Sequence, residues 1–147
     1  MYLSNFVDTL KELLIENDLK QLQLAKKINV ASSALTNYIS GKQYPDISIA
    51  VKIADYFNCT LDYLFGLEEN NANKAFHSCP EFNVRFKWLL EHFHKSINEI
   101  NEQTGIAKSA LYYWRSGERK PTMDSIIRLA KFFDCSIDFV LGRVDFD

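Results

Sequence analysis

The sequence predicts an all-α protein made of two tandem five-helix units. Three observations carry that expectation. The phrase "SALTNYISGKQYP" at residues 33–45 returns as "SALYYWRSGERKP" at residues 109–121, with Ser-Ala-Leu, Ser-Gly and Pro in register. The offset of 76 residues holds without a gap from Phe6/Phe82 through Leu13/Leu89, Leu35/Leu111, Pro45/Pro121, Phe57/Phe133 and Cys59/Cys135 to Gly66/Gly142. Apolar residues recur at helical spacing, and no strand signal interrupts them. The repeat is too long, and its copies too few, for a solenoid, so two similar small domains are expected. Their expected boundaries are 1–68 and 81–147, with a polar, Asn-rich linker at 69–80.

Each element has its own warrant. Phe6, Leu10, Leu13 and Leu14, and Phe82, Phe86, Leu89, Leu90 and Phe93, are spaced for one face of a first helix. The second helix is expected at about 20–28 and 96–104, the latter opened by the capping-box pair Ser96 and Glu99. Asn29 and Gly105 follow it, and both tolerate the left-handed backbone that a sharp helix-to-helix turn needs. The third helix is expected at about 31–40 and 107–116, stopping at Gly41 and Gly117. Asp46 and Thr122 can cap a fourth helix, whose apolar face ends at Phe57 and Phe133. Thr60 and Ser136 can cap a short fifth helix. Asp62 and Asp138 lie in its first turn, where the helix dipole favours a carboxylate.

Composition narrows the function. Apolar residues are 47% and charged ones 24% of the 147 residues, a globular balance. Asp8 and Lys11 break the first apolar stretch, so no signal peptide is read, and no apolar run reaches membrane-helix length. Three cysteines without metal-ligand spacing fit a reducing, cytoplasmic compartment. Cys59 and Cys135 read as packing residues between the fourth and fifth helices. His77 and Cys79 lack a second ligand pair, so no metal and no other cofactor is expected. No phosphate-binding loop and no nucleophile–base set is present, so no enzyme and no small-molecule ligand are expected. The net charge of −2 offers no long-range attraction to nucleic acid, so any DNA contact must rest on a local basic face.

At this point the residues point to a family. Leu24-Ala25, the turn at Asn29, Val30, Leu35, Tyr38, Gly41, Pro45 and "TLDYLFGL" resemble the Cro/cI-type (XRE) helix-turn-helix domain of bacterial and phage repressors. The second copy resembles it through Gly105-Ile106, Leu111, Trp114, Gly117, Pro121 and "SIDFVLGR". The resemblance implies two lambda-repressor-like domains whose third helices enter the major groove. By position it implies base contacts from Ser32, Ser33, Thr36 and Asn37, and from Lys108, Ser109, Tyr112 and Tyr113 in the second copy. It implies phosphate contacts from Gln21, Ser40 and Lys42, and from Ser116, Arg119 and Lys120. The chemistry agrees: Leu35, Tyr38 and Ile39 form an apolar stripe, and short polar side chains opposite let a helix approach base edges.

The sequence departs from the family at defined places. The buried Arg–Glu pair frequent in the family reads Leu14 and Ile39 here, and Leu90 and Arg115 in the second copy. Arg115 must then reach outward, or find Glu91 or a phosphate. The small Ala25 becomes Asn101, which needs hydrogen-bond partners if buried, and the phosphate-contacting Gln21 becomes Ile97. Lys20 stands where a capping hydroxyl is usual. These changes favour the first copy as the reader of bases. Trp88 lies opposite the apolar stripe of its helix, as either a lone exposed ring or an interface residue. The expected function is a sequence-specific DNA-binding transcriptional regulator, with repression the expected mode and duplex DNA the partner; a homodimer is admitted and no membrane is involved. The alternative is a protein-binding module, such as an antitoxin, an antirepressor or a phage-type inhibitor.

Overall fold

The computed structural model describes residues 2–69 and 75–145. Every regular element among them is a helix: α1 (Tyr2–Glu16), α2 (Gln21–Lys27), α3 (Ser32–Ile39), α4 (Ile47–Phe57) and α5 (Leu61–Leu64), then α6 (Phe82–His92), α7 (Ile97–Thr104), α8 (Lys108–Ser116), α9 (Met123–Phe133) and α10 (Ile137–Leu141). The chain divides into two compact units, Met1–Lys74 and Ala75–Asp147. Each holds five helices, as the repeat predicts. Among the described residues no helix is long and apolar enough to cross a membrane.

In the first unit Phe6, Leu10, Leu24, Leu35, Ile53, Leu61, Leu64 and Phe65 are fully buried. Phe6 of α1 stacks on Phe65 just beyond α5, with ring centres 5.1 Å apart. In the second unit Phe86, Leu89, Ile100, Leu111, Ile126, Leu129, Ile137 and Val140 do the same work. Trp114 of α8 meets Phe82 and Phe86 of α6 edge-on, at 6.5 and 6.2 Å. Those anchors set the rotation of the third helix in each unit. Leu35 and Tyr38, or Leu111 and Trp114, turn inward at i and i+3. The opposite side of the helix must therefore face out.

Backbone conformation repeats as faithfully as packing does. The left-handed residues among those described fall into pairs 76 positions apart: Asp18/His94, Asn29/Gly105, Gly41/Gly117, Asn58/Asp134 and Gly66/Gly142. At Gly66 the chain also needs the missing side chain, because a Cβ would come within 2.7 Å of Asn5.

Helix starts follow residue type with one exception. Ser96 accepts from the Glu99 amide while the Glu99 carboxylate accepts from Ser96, both at 3.1 Å, completing the expected capping box. Thr122, Thr60 and Ser136 accept from the amides of Ser125, Tyr63 and Phe139. Lys20 has no acceptor to offer; Gln23 Oε1 instead accepts from its amide at 2.8 Å. Asp46 is the correction. It occupies the N-cap position of α4 in extended backbone, but its carboxylate makes no capping hydrogen bond. The Asp46 backbone instead engages the Tyr38 phenol, which burial, and then the Asp46 charge, push above its ordinary pKa.

The second unit contains an ion pair without an equivalent in the first. Arg143, fully buried, donates to Asp138 Oδ1 at 2.6 Å. The Phe76 ring covers its guanidinium at 3.8 Å, and His77 N–H donates to the Arg143 carbonyl at 2.8 Å. His77 Nε2 also lies 3.0 Å from Asp145. The position equivalent to Arg143 in the first unit is Leu67, which is partly exposed.

Candidate nucleic-acid interface

In the first unit α2 and α3 present one connected polar surface. Gln21 Nε2 donates to Thr36 Oγ1 at 2.6 Å, and Thr36 Oγ1 donates to the Ser32 carbonyl at 2.9 Å. The amide assignment follows from proton accounting: the single hydroxyl proton is spent on Ser32, so only the Gln21 nitrogen can face Thr36. The network ties the start of α2 to the outer face of α3. It fixes the rotamers of two side chains that would otherwise sample solvent freely. Ser32 and Ser33 are exposed and Asn37 is half-buried beside them. Ser40 Oγ donates to the Asn37 carbonyl at 3.0 Å, and Lys42 is exposed after the turn. Gln21, Ser32, Thr36 and Asn37 thus share one side of the unit, with Ser40 and Lys42 at its end.

The corresponding face of the second unit has different chemistry. Lys108 and Ser109 are exposed at the start of α8. Tyr112 is 47% exposed, with the Arg115 guanidinium 4.9 Å above its ring. Tyr113 is half-buried, with Arg119 at 4.7 Å. Ser116 gives its hydroxyl proton to the Tyr113 carbonyl and accepts from the Glu118 amide. Lys120 is exposed. Arg115 has turned outward, so the buried charge that its position threatened does not arise.

Two departures in α7 have clear consequences. Ile97, in place of Gln21, is buried at 5% exposure and offers no hydrogen bond. Asn101, in place of Ala25, is half-buried and donates from Nδ2 to the Ile106 carbonyl at 2.7 Å. Its amide therefore laces the turn between α7 and α8. In the first unit backbone alone closes that turn, Val30 N–H donating to the Ala25 carbonyl at 2.9 Å.

Between α6, the start of α7 and α8 lies an open groove of about 430 Å³, with Lys87, Glu91, Lys95, Ile97, Tyr112 and Arg115 on its walls. Lys87 did not stand out in the sequence. Its signal is visible only by register: the equivalents of Lys87, Lys95 and Arg115 in the first unit are Lys11, Leu19 and Ile39, one cation against three.

Trp88 lies elsewhere on α6, 40% exposed. It stacks on His92 at 4.4 Å, meets Phe139 edge-on at 5.8 Å and carries Arg85 over its ring at 4.2 Å. Arg85 also donates to the Phe139 carbonyl from Nε and Nη2, and burial lowers its pKa from the ordinary value.

Comparison with known proteins gives three findings. A helix-turn-helix family model matches residues 10–64 and again residues 86–140, the same register shift as the repeat. The Bacillus subtilis (strain 168) protein YobD, called an uncharacterized HTH-type transcriptional regulator, is 35% identical over 61 residues. That alignment covers 42% of this chain and 54% of YobD. The chain therefore spans about half the length of the curated relative it matches. The crystal structure of a transcriptional regulator from Listeria innocua aligns over 66% of this chain and 83% of that one, with 30% identity and a TM-score of 0.40.

Proposed function

The chain belongs to the helix-turn-helix family, with the family's fold present twice in tandem, and from that premise we propose that it is a sequence-specific DNA-binding transcriptional regulator. It acts by occupying duplex DNA as a repressor in the cytoplasm, not by catalysis. The third helix of the first unit enters the major groove. Ser32, Ser33, Thr36 and Asn37 face base edges there, and Gln21, Ser40 and Lys42 meet the flanking phosphates. In the second unit Lys108, Ser109, Tyr112 and Tyr113 face bases, with Ser116, Arg119 and Lys120 toward phosphates.

The observation that carries this reading is the Gln21–Thr36–Ser32 network. A helix that enters a groove with its side chains already ordered binds more tightly, because immobilising each flexible one costs about 0.5–1.5 kcal/mol. Here α2 holds the outer face of α3 in place before any partner arrives. Asn37 can then pair bidentately with an adenine edge.

Titration of the intact chain against promoter-region DNA at several salt concentrations tests the proposal. About five phosphate contacts give a slope of log affinity on log salt near −4 to −5. Absence of binding at low salt would remove the DNA reading and leave a protein partner as the function of these faces.

A further inference from the structure

We propose that the groove between α6, the start of α7 and α8 is a phosphate-binding site that takes a backbone phosphate of duplex DNA. The inference rests on the DNA-binding reading above and assigns the second unit its own means of holding the backbone.

Three cations reach this groove from three separate segments: Lys87 from α6, Lys95 from the loop before α7 and Arg115 from α8. Glu91 is the single carboxylate on its walls. Lys95 is 3.6 Å from Glu99, outside the groove, and both side chains are about two-fifths exposed. Such an exposed pair is weak and exchanges readily for a stronger anion. Arg115 is steadied by the face of the Tyr112 ring. Stacking of that kind holds a guanidinium without using its N–H donors, leaving the planar fork free for two oxygens of one phosphate. The groove is open to solvent, which suits a polymer's backbone better than an enclosed small molecule.

The arrangement also accounts for Ile97. In the first unit Gln21 can offer a phosphate a neutral amide. Ile97 removes that donor, yet the adjoining positions change from Leu19 and Ile39 to Lys95 and Arg115. One neutral hydrogen bond is exchanged for charge. The two kinds of contact are distinguishable, because only charge neutralisation releases counterions and adds to the salt slope.

The test uses the full chain, wild type and the Lys87→Gln/Arg115→Gln double variant, titrated with a bound duplex across salt. Both residues are exposed, so circular dichroism should report an unchanged fold. Loss of two ionic contacts flattens the slope by about 1.8 and weakens binding roughly 60-fold at 0.1 M salt. Lys131→Gln, on α9 outside the groove, should leave the slope in place. Wild-type binding with an unchanged slope in the double variant overturns the groove assignment alone. No wild-type binding at low salt overturns the assignment together with the DNA reading. Inorganic phosphate at constant ionic strength should displace DNA no better than chloride. Stronger displacement, lost in the double variant, would make free phosphate the occupant and overturn the backbone assignment.

Discussion

Truncating Asp138 should unfold the second unit selectively. Arg143 is fully buried and the Asp138 side chain is 2% exposed, so their 2.6 Å contact excludes water. Asp138→Ala removes the carboxylate held 2.6 Å from a fully buried guanidinium, a loss of about 3–5 kcal/mol. A unit of this size has a total stability of roughly 4–10 kcal/mol. The variant should therefore melt about 15–30 °C lower, or be unfolded at room temperature. The protein carries its own reporter. Both tryptophans, Trp88 and Trp114, lie in the second unit, so tryptophan fluorescence through a urea titration follows that unit alone. Adding Arg143→Met should restore most of the loss, because an apolar side chain of similar length needs no partner. A loss under about 1 kcal/mol would refute the reasoning, since only a water-accessible pair is worth so little. Failure of the second substitution to rescue would refute it too, by placing the damage in packing instead of charge.

Other expectations follow from the same geometry. Phe76→Ala uncovers the buried guanidinium and should cost about 2 kcal/mol on the fluorescence reporter; no change would mean that Phe76 does not shield the pair. Gly66→Ala should destabilise the first unit by about 2–4 kcal/mol, combining left-handed strain with the approach to Asn5. Gly41→Ala, whose Cβ would meet nothing nearer than Val7 at 3.9 Å, should cost only the strain, and equal losses in first-unit amide signals through urea would contradict the close approach. Asn37→Ala should cost about 1–3 kcal/mol on the best duplex and relax preference at one A·T pair, while Lys42→Ala weakens all sequences alike. Unaltered base preference in Asn37→Ala would exclude α3 as the reader. If the first unit alone reads bases, a dimer should select a palindrome from random DNA. An asymmetric consensus with one half lost in Lys108→Ala/Tyr113→Ala would show that both units read.

Much of this was legible in the sequence because it rests on local rules. The apolar stripe that buries Leu35 and Tyr38 is a matter of helical period, and glycine marks left-handed caps by being the residue without a Cβ. Asp18, His94, Asn58 and Asp134 are equally left-handed, and although Asn, Asp and His are enriched in that conformation, most of them sit elsewhere, so the residue type marks the place more weakly than glycine does. The groove was hidden for a different reason. Lys87, Lys95 and Arg115 are spread over twenty-nine positions, and only the packing of three helices gathers them. Arg143 was hidden because charge in sequence reads as surface. Its burial depends on Asp138 lying five residues earlier, across the left-handed end of α10, and on Phe76 closing over it from far upstream.

The hydroxyl of Thr36 has one proton, and the carbonyl of Ser32 already holds it. What the side chain turns outward is a lone pair and a methyl group. On a base edge such a position welcomes an amino donor or a thymine methyl and is repelled by the paired acceptors of guanine. Its preference is therefore not a property of threonine. If Thr36 meets a base as proposed, that preference is dictated by a peptide group four residues earlier, and the helix backbone itself would take part in choosing the sequence. A variant that loosens the first turn of α3 should free the hydroxyl proton to point elsewhere and broaden the set of sequences tolerated, without altering the side chains proposed to meet DNA.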